Sequence, residues 1–586
     1  MLGFTASRTQ ICAYLFGVAL FSISFLVFLN SSVSFVITQR IGREKGVGDA
    51  VGTLGFADEL VALVACPAWG LLSDRIGVRN VAVMGYAIVG LSLWVFVQAK
   101  NVYPQLLLAR LFFSLGATAT ATMVTAILPT MTIVKTIEDP RSPTNRVNGT
   151  SHTMTPSISS ELTITPARFR SQSPTADNPP KRDTGASTSH LAGLVGMFTG
   201  CGALVALLLF LPLPTLFSGP GGETAGAAVA DAFYVVGAVA ILVALGCFFG
   251  LRKLPGEDGK GWKSLIHGSS HKASGGLLTP RQPVMSYPRL FWASVQLGFE
   301  SRNIGLGYLG GFVARASSVA ISLFIPLFTN AYFLRIGKCE PVGSDPANPG
   351  DIKSSCPDAY KLAAALTGVS QLIALLTAPL FGYLAGRYKR FNIPLLVAAL
   401  AGVAGYAAFG SLHSPKPGGE DGSGAIFFIV ALLGISQIGA IVCSLALLGR
   451  GIHNDEGDDN DHFSAHHSAN GTNHPSAGAT PPRTPPLTPA TEDAPLLGSS
   501  HDRSRPSSPA GSRSHTHLKG SIAGTYSLLG GFGILLLTKA GGALFDSSGP
   551  GSPFYMMAAF NALLLVVGIA VGVQEAVQGW KGQEHV

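Results

Sequence analysis

Charge is what this sequence has least of. Asp, Glu, Lys and Arg make up 12% of its 586 residues, where a soluble domain carries about 25%. A chain so depleted, with a mean hydropathy of +0.39, reads as an integral membrane protein and not as a soluble enzyme. The net charge of +8 does not point to nucleic acid, because the basic residues lie between apolar segments and form no aromatic-rich basic domain. No G-x-x-x-x-G-K-[ST] phosphate loop occurs, which argues against an ATP-driven pump. No metal-ligand cluster and no nucleophile–base pair stands in the apolar segments, so an enzyme has no support, and no metal or cofactor is called for. Cysteine is sparse too. Cys12, Cys66, Cys201, Cys247 and Cys443 fall in apolar segments, where a thiol behaves as a small hydrophobe. Cys339 and Cys356 share one polar loop, as a disulfide or as two free thiols.

What the chain does have is long hydrophobic runs. Twelve are predicted to span a membrane: 11–37, 50–72, 80–99, 103–130, 189–214, 228–250, 304–334, 360–385, 393–412, 424–448, 520–545 and 553–573. Each approaches or exceeds the roughly 20 residues a helix needs to cross ~30 Å of hydrocarbon. Their Gly and Ser suit close helix packing in lipid. The first run is too long for a signal-peptide core and lacks a small-residue cleavage site, so it is expected to remain. With the N-terminus in the cytosol, most of the 40 Lys and Arg fall on the cytosolic side, as the positive-inside rule requires. Arg40, Arg43 and Lys45 run against that bias.

The spans divide six and six. The expected organisation is a first half over 1–250, a polar connector over 251–300 containing "GEDGKGWK", and a second half over 301–586. A Ser/Thr/Pro-rich loop over 135–187 follows the fourth span, and a Ser/Pro/His/Asp-rich loop over 451–518 follows the tenth. Neither can bury enough apolar surface to offset the entropy of ordering it, so both are expected to be disordered. On this topology the sequons at Asn148 and Asn470 are cytosolic and unglycosylated.

Between the second and third spans stands "GLLSDRIGVR". Gly70 permits a close helix approach, Asp74 suits a helix N-terminus, and Arg75 and Arg79 suit the membrane surface. A degraded copy, "GYLAGRYKR", begins at Gly382, after the second span of the second half. It keeps Gly382, Leu384, Ala385, Arg387 and Arg390, while Gly386 replaces the acid. Two related turns at equivalent places indicate an internally repeated transporter.

The first turn resembles the signature loop of the major facilitator superfamily, G-x-L-[AS]-D-R-x-G-[RK]-[RK], through Gly70, Leu72, Ser73, Asp74, Arg75, Gly77 and Arg79. Val78 departs where a basic residue is usual. "RLFFSLGA" resembles the family's R-x-x-x-G-x-G-A pattern through Arg110, Gly116 and Ala117, with Ser114 in place of a glycine. "GLVGMFTGCG" is glycine-rich like the antiporter signature but lacks its Gly-Pro, which leaves the direction of coupling open. The resemblance, to a fungal-like member with long cytosolic loops, implies an all-α membrane fold of twelve helices in two six-helix pseudo-repeats. It also implies alternating-access transport of a small molecule. Gly70, Asp74, Arg75, Gly77 and Arg79 would then gate, latching the halves in the outward-facing state and parting in the inward-facing state.

Ionisable groups inside a bilayer cost roughly 2.5 to 3.5 kcal/mol unless paired or hydrated, so they are functional candidates by default. Asp58 and Glu59 lie eight and nine positions into the second span, ~12 Å deep at 1.5 Å per residue. Arg110 enters the fourth span to a similar depth, so a pair with Asp58 or Glu59 is expected, either structural or as a proton-coupling and substrate site. Arg315 and Gln371 are expected to face the cavity, where Arg315 would meet an anionic group. Asn30 either lines the cavity or bonds between helices. Lys539 is expected to snorkel at a helix end.

The second long loop carries "HNDEGDDNDHFSAHHSANGTNHP" from His453. Such tracts bind zinc weakly, so a metal or metal-chelate carrier is the alternative within transport, but the spacing fits no closed site. A non-transporting receptor or scaffold on the same fold is the other alternative. "EDAPLL" resembles an acidic dileucine signal through Glu492, Leu496 and Leu497. It would be read by a sorting adaptor and favours a vacuolar or lysosomal membrane over the plasma membrane. Ser142–Pro143 and Thr484–Pro485 suit proline-directed kinases. The expected partners are therefore a small-molecule substrate, protons, the lipid bilayer, and adaptors and kinases at the loops.

Overall fold

Hydrocarbon offers a backbone no water to bond, so a spanning segment must satisfy its own N–H and C=O groups, and a helix does so. A computed structural model shows this for all twelve runs. The structure describes residues 6–43, 47–132, 184–217, 225–255, 257, 260–261, 286–337, 357–388, 392–418, 422–453 and 518–584. The helices are α1 (Arg8–Arg40), α2 (Ala50–Ile76), α3 (Val78–Phe96), α4 (Val102–Met131), α5 (Ala186–Phe210) and α6 (Gly226–Gly250). They continue as α7 (Arg302–Arg335), α8 (Asp358–Arg387), α9 (Ile393–Gly410), α10 (Ala425–His453), α11 (Lys519–Ser548) and α12 (Ser552–Gln574). By length and composition all twelve can cross a membrane, and the chain is an integral, multi-pass membrane protein.

Buried hydroxyls stitch the first six helices together. Tyr14 of α1 donates to the Val124 carbonyl of α4 at 2.5 Å, and Tyr86 of α3 donates to Val18 of α1 at 2.8 Å. Ser24 of α1 donates to Gly202 of α5 at 2.8 Å. Each polar tip thereby finds an acceptor in an apolar setting.

The two sets of six meet most extensively through α2 against α11 and α5 against α8, with further packing of α10 on α5 and α11 on α4. Glycine makes the two main approaches possible. A Cβ on Gly70 of α2 would lie 2.4 Å from the Gly520 carbonyl oxygen and 2.8 Å from Gly524 Cα in α11. A Cβ on Gly382 of α8 would lie 2.6 Å from Gly193 Cα in α5. The repeated turn glycines thus mark two equivalent contacts, each between a helix of one six and a helix of the other. The repeat extends further back, since Pro67 and Pro379 stand three residues before Gly70 and Gly382 inside their helices.

Part of the polar connector is helical. Residues Tyr287–Glu300 form a helix that buries Leu290, Ser294 and Leu297 along one face. The spacing is that of an amphipathic surface helix, too short and too polar to register as a span. Its Ser294 hydroxyl lies 2.8 Å from that of Thr525 in α11.

Replacing Gly193 by Leu is expected to widen the spacing between α5 and α8, read as the distance between spin labels on those helices. Gly246→Leu, where nothing stands within 4 Å, serves as the control and should leave that spacing unchanged.

Candidate functional site

Three helices converge on Arg110 of α4. Its Nε lies 2.5 Å from the Asp58 carboxylate of α2, and its side chain and that of Asp58 are only 5% and 13% exposed. Its Nη2 donates to the Asn30 side-chain carbonyl of α1 at 2.5 Å. Ser114, one turn along α4, donates to the Asp58 main-chain carbonyl at 3.1 Å. The small residue where the family pattern has glycine therefore ties α4 to α2. Asn30 acts between helices, the second of the two roles open to it. Arg110 pairs with Asp58 and not with Glu59, because adjacent helical residues point about 100° apart.

Glu59 turns instead towards the second set of helices. It stands within electrostatic range of Arg315 of α7 and of Arg110. Among the described residues neither Glu59 nor Arg315 makes a hydrogen bond or an ion-pair contact. The Arg315 stem runs over Gly530 of α11, where a Cβ would lie 2.7 Å from its Cγ. Beyond Arg315, Gln371 of α8 donates to Gln437 of α10 at 3.1 Å, and Gln437 donates to Ser318 of α7 at 2.9 Å. Lys539 does not simply reach for a surface. Its Nζ lies 4.2 Å from the ring centroid of Phe56 in α2, a cation–π contact between the two sets of helices.

The second cluster lies at the end of the bundle that carries the N-terminus. Asp74, at the end of α2, caps the start of α11. It accepts from the Gly520 N–H at 2.8 Å, the Ser521 N–H at 2.7 Å and the Ser521 hydroxyl at 2.6 Å. The free N–H groups and positive end of a helix make this a favoured place for a carboxylate. Gly77 supplies the reversal, with φ +93 at the N-cap of α3. Arg75 lies over the Tyr287 ring, 3.6 Å from its centroid, and Arg79 lies over Phe248 at 4.4 Å. Beside them Glu257 accepts from the Val78 N–H at 2.8 Å and from Lys260 at 3.2 Å, and forms an ion pair with Lys519 of α11. One connector carboxylate therefore joins the start of α3 to the start of α11.

The same architecture occurs in solved structures. FucP, a major facilitator superfamily transporter in the outward conformation, superposes with a TM-score of 0.53 at 11% identity over 96% of this chain and 97% of its own. A bacterial homologue of the iron transporter ferroportin in its outward-facing state gives 0.53 at 14% identity, covering 97% and 100%. The human organic anion transporter MFSD10 gives 0.51 at 12%, covering 96% and 99%. At such identities the likeness establishes the fold. Residues 20–133, which contain Asn30, Asp58, the signature turn and Arg110, match the model of the Major Facilitator Superfamily. Over that segment the chain carries the sequence pattern of the major facilitator superfamily, and its fold is that of these transporters. No curated protein matches it by sequence.

Within this fold, Asn30, Asp58 and Arg110 form one network, Arg315 stands near Glu59, Gln371 bonds to Gln437, and the five turn residues gather at the other cluster. Cys339, Cys356, Glu492, Leu496 and Leu497 lie outside the described residues, as do most of the histidine loop and both sequons. Among the described residues no group of three or more His, Cys, Asp and Glu could hold a metal ion. Sequence reasoning passed over Glu257, Lys519 and Gln437. The first two lie beyond span ends and carry no motif, and the third became visible only as the link between Gln371 and Ser318.

Asp58→Asn strands the buried Arg110 charge and should cost about 3–5 kcal/mol, the usual penalty for breaking a buried pair. Thermal unfolding in detergent measures it, and the Asp58→Asn/Arg110→Gln double variant should recover most of the loss. Asp74→Asn exchanges charge-assisted bonds for neutral ones, a loss of about 1–2 kcal/mol. It should raise the population with α2 and α11 parted by roughly 5- to 30-fold, measured by label distances across that contact.

Proposed function

We propose that this chain is a secondary active transporter that moves a small molecule by alternating access, coupled to protons. The observation that carries the reading is the pair of carboxylates at mid-membrane depth, one bonded within its own half and one turned towards Arg315 of the other. Asp58 is held by Arg110, so its charge is compensated in this state. Glu59 has no such bond and faces the interface that opens and closes as the halves rock. Exposure of Glu59 to one side and then the other would load and release a proton. Arg315, flanked by the Gln371–Gln437–Ser318 chain, would meet a negative or strongly polar group of the substrate.

The Asp74 cap on α11 supplies the gate. It holds the two halves together at the end bearing the connector, which leaves the opposite end to admit substrate, and its release would reverse access. The acidic dileucine segment supports a vacuolar or lysosomal membrane.

Reconstitution into vesicles with an imposed pH gradient, followed by an untargeted comparison of captured metabolites, identifies the substrate. With that substrate, Glu59→Gln should abolish gradient-driven uptake while leaving gradient-independent exchange. Normal uptake by Glu59→Gln, Asp58→Asn and Arg110→Gln alike would remove the coupling mechanism. No gradient-driven uptake of anything by the native protein would favour a non-transporting receptor.

A further inference from the structure

A cleft of about 100 Å³ opens at the connector end of the bundle, away from the central site. Its walls come from the α2–α3 turn through Arg79 and Asn80, from the end of α6 through Lys253, and from the connector through Glu257 and Lys260. Among the described residues one carboxylate lines it, Glu257, with one oxygen on Lys519 and Lys260 and the other on the Val78 N–H. Among the described residues, Arg79 and Lys253 at the cleft make no ion pair with a carboxylate. Arg79 and Arg252 stand within electrostatic range of each other. The Arg79 Nε is buried without a hydrogen-bond partner among the described residues. Like charges held together around open space imply a missing counter-charge.

The cleft is also built, not incidental. Lys253 adopts the left-handed region at φ 54, a conformation that persists only where its surroundings hold it. Gln10 does so, donating from Nε2 to the carbonyls of Arg252 at 2.7 Å and Lys253 at 3.2 Å. Gln10 is itself fixed in a capping box with Ser7.

We propose that this cleft binds a phosphate group, presented by the headgroup of an anionic phospholipid. The flanking surface favours the lipid over a free phosphate. Phe248, whose ring lies under Arg79, and Phe249 are 39% and 63% exposed at the end of α6, where an acyl chain can lie. The end of a spanning helix stands at headgroup depth, and basic pockets between such helices recognise anionic headgroups.

The test uses the full-length protein in phosphatidylcholine nanodiscs, with and without phosphatidylinositol phosphate, and separately with inorganic phosphate. The readouts are thermal stability and the lipid retained in native mass spectrometry. The native protein and Arg289→Ala, an exposed cation at the same end but outside the cleft, should both be stabilised by the anionic lipid and retain it. Lys253→Ala should weaken retention about fivefold and Lys253→Ala/Lys260→Ala about thirtyfold, following the usual contribution of each basic residue near a charged surface. If inorganic phosphate stabilises equally and the same variants abolish the effect, the site stands and its source is a soluble phosphate compound. Equal retention by native protein and Lys253→Ala, or no preference for anionic over zwitterionic lipid, overturns the proposal.

Discussion

A polar group inside hydrocarbon must find its partner within the protein. In this chain the partner repeatedly belongs to a different helix, and for Asp74 it belongs to the other six-helix set. The amino terminus of α11 begins with free N–H groups, and Asp74 of α2 satisfies them. The Asp58 charge needs a cation, and α4 supplies Arg110. Remove either constraint and the helices would still form, but a polar bond that fixes how they meet would be lost.

The two halves are related but not equivalent. The two largest contacts between them are set by glycine, Gly70 against α11 and Gly382 against α5, with a proline three residues earlier in each helix. Only one is bonded by a carboxylate. At the position equivalent to Asp74 stands Gly386, whose nearest neighbours are Ala186 and the His190 ring. One contact therefore combines shape with charge-assisted hydrogen bonds, and the other combines shape with a ring contact between His190 and Tyr383. The carboxylate stands where α2 meets the start of α11. Glu257 adds a second bond to the same helix start through Lys519, so the connector helps to hold the closed end.

Much of the arrangement was legible beforehand because its signals are local. Apolar length announces a span, and the turn from Gly70 to Arg79 announces itself by type and spacing. An ionisable residue inside an apolar run is conspicuous, which is how Asp58, Glu59, Arg110 and Arg315 could be picked out. Glu257 and Lys519 were not, because charged residues just past a span end are ordinary. The helix Tyr287–Glu300 was missed because its apolar face is one stripe and not a full run.

The sequence by itself determined twelve helices, their order and the repeat, since burial in lipid is decided by the composition of each segment alone. Only the tertiary structure decided which partner each polar group takes. Asp58 and Glu59 are neighbours in the chain, yet one meets Arg110 and the other faces Arg315. That choice depends on helix rotation about its axis, and rotation is set by the packing of glycines and side chains that lie hundreds of residues away.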